Sequence, residues 1–182
     1  MDIDFVSYSE DCVVSGRLTL GADRLTDLMT EASEYVVDDA AFEALDDRHV
    51  VSLAQIAVGR DELCLVVANG PRGNRGRRVR TRPVPVRAGV GPYVLLGYAH
   101  AMPSSDALAS IQRRTIVPLT ECRVRFKRGG KAVEHWHDTV LVNRDKIDWL
   151  ENASSQELPA APPDLPVTVD PRARDLTGEM FI

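Results

Sequence analysis

A chain of 182 residues, 44% of them hydrophobic and 27% charged, has the make-up of one ordinary globular domain or two small ones, which sets disordered and fibrous classes aside. No apolar run approaches the roughly 20 residues of a spanning helix, and the start, MDIDFVSYSEDC, is acidic where a secretory leader is basic and then apolar, so a cytoplasmic protein without membrane attachment is expected. The net charge of −5 is uneven: residues 1–70 hold 15 acids and 4 bases, residues 71–90 hold seven arginines and no acid, and the remainder holds 12 acids and 11 bases.

In chain order, CVVSGRLTL alternates Cys12, Val14, Gly16, Leu18 and Leu20 against polar neighbours, the pattern of a half-buried strand. DRLTDLM then spaces Leu25, Leu28 and Met29 as one face of a short helix behind an Asp23 N-cap. A second strand is expected over VDDAAFEAL, with a turn at DDRH and a third strand ending in IAVGRDEL. Residues 71–90, rich in Gly, Pro and Arg, read as an exposed connector. YVLLGYAHA follows with Tyr93, Leu95, Gly97, Ala99 and Ala101 on one face. Its other face, Val94, Leu96 and Tyr98, is apolar too, so this strand is expected to be covered on both sides and to form the seam between halves. PSSDALASI places Leu108 and Ile111 three apart behind Ser104 or Ser105. LTECRVRF and the hairpin turn RGGK lead into VLVNRDKI.

The two series match. Setting Val37 on Leu119 brings Asp39 onto Glu121, Ala40 onto Cys122 and Phe42 onto Val124, and IAVGRDEL falls on VLVNRDKI. The expected fold is therefore mainly β with α+β character: two pseudo-symmetric curled-sheet or partial-barrel units, each with one short helix, packed together. The expected organisation is a first repeat over 1–70, the connector over 71–90, a second repeat over 91–150, and a Pro/Ala-rich linker with a tail peptide over 151–182. Neither unit is large enough to bury a comfortable core alone.

RLTDLM at Arg24–Met29, IVPLTECRV at Ile116–Val124 and VLVNRDKI resemble segments of an uncharacterised bacterial small β-rich domain, whose pattern runs RLSDLLN, then an IPLTDA-like strand, then VNRDxI. The likeness covers about 50 residues in each half and implies a fold type only, with no catalytic residues.

Chemistry-bearing patterns are few. RRVRTR at Arg77–Arg82 fits the R-R-x-x-x-R half of the cyclic-dinucleotide pattern of PilZ domains, but no D-x-S-x-x-G half follows. Arg75, Arg77, Arg78, Arg80 and Arg82 are the anion-binding candidates, for a nucleotide or nucleic acid, against self-neutralisation by the acidic first half. EHWHD offers His135 and His137 as a weak metal pair, with His100 as a third ligand. If Trp136, Val140 and Val142 point inward, both histidines face solvent instead. The repeated Arg-Asp reads as a turn in which Gly59 or Asn143 is left-handed and the Asp caps local amides. Cys12, Cys64 and Cys122 read as reduced, buried thiols. No nucleotide, hydrolase or zinc-protease motif is present, so neither an enzyme nor a cofactor is expected. The tail regains apolar character, and Leu176, Met180, Phe181 and Ile182 are candidate docking residues. The expected function is a non-catalytic interaction or assembly module, acting through its β surface, a sheet edge or this peptide, with a protein partner or a second copy. The alternative is the anion-binding module.

Overall fold

A computed structural model describes residues 1–71, 79–154 and 156–158. The first half runs β1 (Asp2–Ser9), β2 (Cys12–Thr19), α1 (Leu25–Glu31), β3 (Glu34–Ala44), β4 (Val50–Gly59), a 3-10 turn (Arg60–Glu62) and β5 (Leu63–Val67). The second runs β6 (Arg82–Val90), β7 (Tyr93–Ala101), α2 (Ala107–Gln112), β8 (Ile116–Arg128), β9 (Lys131–Asn143), a 3-10 turn (Arg144–Lys146) and β10 (Ile147–Asn152). The fold is mainly β, as the alternation predicts. The ten strands of the described residues join one antiparallel sheet in the order β10-β6-β7-β8-β9-β5-β1-β2-β3-β4, which does not close into a barrel. No helix among the described residues is long and apolar enough to cross a membrane.

One device sets the side-chain phase in both halves. Asp39 in β3 and Glu121 in β8 adopt φ of 48° and 49°, and the facing registers shift at Gly16 and Gly97. Each is a β-bulge that swaps the inward parity of its strand, so the core takes Val37 and then Ala40, and Leu119 and then Cys122. Glycine is required opposite each bulge because the backbones nearly touch. A Cβ on Gly16 would lie 2.5 Å from Val37 Cγ1 and 2.7 Å from Asp38 O; one on Gly97 would lie 3.0 Å from Thr120 O. The RGGK turn holds Gly129 and Gly130 at φ of 56° and 73°, the left-handed pair a tight hairpin needs.

Two apolar clusters form under the two helices. Ile3, Phe5, Leu18 and Val37 pack with Leu25 and Met29 of α1; Tyr93, Leu95, Val124, Phe126 and Val140 pack with Ile111 of α2. β5 is buried along its whole length and serves both, Leu63 and Val66 entering the first cluster and Cys64, Leu65 and Val67 the second. This strand, paired through Leu65–Val142, Val66–Leu141 and Val67–Val140 with β9, is the seam. The expected seam, β7, is instead open on its second face, where Val94 is 40% exposed. Further bonds cross between halves: Tyr93 Oη donates to Ser9 O at 2.6 Å, Gly129 N to Leu45 O at 2.7 Å, and Arg128 forms a fork on Glu43, its Nε 2.7 Å from Oε1.

Four other expectations are corrected. Residues 82–90 form strand β6, not connector. Pro83 and Pro85 sit in it because the outer edge of β6 beyond β10 needs few amides; Pro85 O on that side accepts from Ala153 N at 3.0 Å. The α2 cap is Asp106, which accepts from Leu108 N at 3.0 Å, rather than a serine. α1 has Arg24 at its N-cap and no side-chain cap bond, so Asp23 does not serve there. Gly59 and Asn143, at φ of −74° and −71°, are not left-handed, because the 3-10 turn after each makes the reversal. In both turns the arginine amide is tied back, Arg60 N to Ser33 O at 2.8 Å and Arg144 N to Thr115 O at 3.0 Å. Asn143, not the aspartate, does the capping: its Oδ1 accepts from Asp145 N, and its Nδ2 donates across the seam to Arg60 O and Leu63 O.

Candidate functional site

The sheet leaves two edges, and β4 is the unguarded one. Its sequence, VVSLAQIAVG, carries no charged residue and no proline, and its inner side is fully occupied by β3 from Glu34–Gly59 to Glu43–Val50. Among the described residues nothing pairs with the outer side, which presents a row of amides and carbonyls. Such an edge is ordinarily blunted by lysine, proline or a bulge. Val50, Val51 and Leu53 are 45%, 45% and 43% exposed, and Val36 on the neighbouring strand, opposite Ala57, is 48% exposed. Exposed apolar side chains thus lie on both faces beside an open hydrogen-bonding row, the arrangement into which an extended chain adds a strand.

The predicted site residues are scattered. Arg75, Arg77 and Arg78 lie outside the described residues, as do Leu176, Met180, Phe181 and Ile182. Arg80 is exposed, and Arg82 starts β6 and donates to Ser105 O at 3.1 Å. His135 and His137 do not face solvent. The parity swap at Glu121 carries through the facing strand, so both point to the same interior as Val140 and Val142; His137 is only 4% exposed. His100 bonds Thr81 Oγ1 and Thr120 Oγ1, apart from them. Among the described residues no group of three His, Cys, Asp or Glu side chains is placed to hold a metal ion.

What the two histidines do meet is Tyr8 of β1, whose Oη lies 2.9 Å from His135 Nδ1 and 2.9 Å from His137 Nε2. The hydroxyl has one proton, so one ring donates to it and the other accepts. His137 Nδ1 is buried without a partner; placing the His137 proton on Nε2 leaves an unmet acceptor there instead of an unmet donor. The chain thus runs His137 Nε2–H to Tyr8 Oη, and Tyr8 O–H to His135 Nδ1. Burial drives the His137 pKa down to about 4, with His135 beside it adding to the shift, and lowers that of His135 through burial and then Arg128. Both rings are neutral at pH 7, and burial raises the Tyr8 pKa. Phe126 and Tyr93 pack their edges and faces around Tyr8 at centroid distances of 5.8 and 5.4 Å. A neutral, closed aromatic cluster of this kind locks the halves together.

The thiols offer no nucleophile at neutral pH: burial raises Cys64 to about 11 and Cys122 to about 12, and raises Cys12 as well. Sequence reasoning found the histidines but missed Tyr8, which lies 127 residues from His135 and carries no local signal. No family model, no curated protein and no solved structure matches the chain.

Proposed function

We propose that the protein is a non-catalytic assembly module whose copies join edge to edge by strand addition at β4. The observation that supports this reading is the uncharged, exposed edge of Val50–Gly59. An added antiparallel strand supplies partners for the outer row of amides and carbonyls and covers Val50, Val51 and Leu53. Because the strand has no charge, pairing it with a second copy across a two-fold axis sets no like charges opposite each other. The opposite edge disfavours such pairing: β10 is six residues long and carries Asp148 and Glu151, and its register with β6 shifts between Ile147 and Trp149.

Light scattering on the purified chain tests the reading. The expected result is a concentration-dependent dimer whose dissociation constant rises at least about tenfold in Leu53→Lys, equivalent to about 1.4 kcal/mol, and stays unchanged in Asn152→Lys on the other edge. A monomer at all concentrations, or equal weakening by both variants, would contradict it.

A further inference from the structure

We infer that the cleft between the two halves, walled by α1, the end of β5, and the α2–β8 corner, is a binding site for a phosphorylated small molecule. The cleft measures about 1050 Å³, at the upper end of the range for small-ligand sites. Arg24 and Thr26 reach it from the start of α1, and Arg113, Arg114 and Thr115 from the corner before β8; Asp138 is the one carboxylate among its described lining residues. The arginines are not equivalent. Arg24 is held in a fork by Asp27, with contacts of 2.9 and 2.7 Å, and is largely neutralised. The guanidinium groups of Arg113 and Arg114 have no hydrogen-bond or ion-pair partner among the described residues. In a chain of net charge −5, two adjacent unpaired guanidinium groups at one cleft are a local excess of positive charge. Their planar forks match phosphoryl oxygens, and threonine hydroxyls add neutral donors. Ala68, Pro71 and Pro118 add accessible apolar surface to the lining, which suits an organic body carrying the anion rather than inorganic phosphate alone. Strand addition at β4 neither requires nor excludes this site.

Calorimetric titration with pyrophosphate and with ADP, at about 50 mM salt where screening is modest, tests the assignment. Both probes are expected to bind, ADP the more tightly because its nucleoside can cover the apolar side chains of the lining. The double variant Arg113→Ala, Arg114→Ala should weaken both at least about tenfold, while Arg77→Ala, Arg78→Ala in the connector should leave them within about twofold. Arg113 and Arg114 are exposed, so circular dichroism should show both variants folded. No heat with either probe, affinity lost through the connector but not through Arg113 and Arg114, or binding of a single-stranded oligonucleotide alone would each overturn the assignment.

Discussion

β4 ends the first half of the sheet with ten uncharged residues, seven of them exposed, whereas β10 ends the second with six that include Asp148 and Glu151. Both strands occupy the outermost place in the sheet, although β4 comes before the first 3-10 turn and β10 after the second. One sheet therefore carries two edges of opposite character, and the side chains on each set what it can do. On β10 the Trp149 indole packs inward over Gly89 of β6, and Arg87 lies 5.9 Å from the Trp149 ring centroid while bonding Glu151. Strand β4 itself carries no aromatic or charged side chain.

The comparison is broken most severely by cutting the clamp that holds the halves together. Glu43 and Arg128 have side chains only 8% and 12% exposed, so Glu43→Ala leaves a buried guanidinium unpaired. It should cost about 4 kcal/mol in denaturant unfolding, with Glu43→Gln intermediate. A loss below about 1 kcal/mol would show that the halves do not depend on this contact.

The next effect is acid sensitivity. His137 binds its proton less readily folded, at about 4, than in the ordinary state at 6.5, so the unfolded chain takes up the proton first. Stability is then complete above pH 6.5 and lost as the pH falls toward 4, by about 3 kcal/mol for this group. His135, also lowered, acts in the same direction. Calorimetry at several pH values should show a smaller loss in His137→Leu than in the parent, although carboxylates contribute to both. Equal slopes would show that the Tyr8 cluster does not govern the acid response.

The glycines opposite the two bulges give the finest comparison. Gly16→Ala meets a backbone carbonyl at 2.7 Å, while Gly97→Ala meets one at 3.0 Å. The expected costs are about 3 and about 1 kcal/mol. The reverse order in thermal unfolding would mean that the second bulge is the more rigid.

Much of this fold was legible in the residues. The alternation in β2, β3 and β8, the apolar spacing in both helices and the RGGK turn all appear where the pattern places them, because each depends on neighbours in sequence. β6 was not legible, since Pro83 and Pro85 forbid a central strand and only the short reach of β10 makes them acceptable. The inward turn of His135 and His137 was hidden for a different reason. It follows from a bulge at Glu121, a residue type that rarely takes positive φ and so gives no warning. The edge at β4 was unreadable as well: Ile56 and Val58 look like any buried strand until the sheet order shows that no described strand lies beyond them.

Hydrogen exchange of β4 amides, followed as protein concentration is raised, tests edge pairing most directly. Strand addition predicts that amides on the outer side of Val50–Gly59 gain protection with concentration while those at the outer edge of β10 do not. Protection at β4 that is independent of concentration, or a gain at β10 alone, would contradict it.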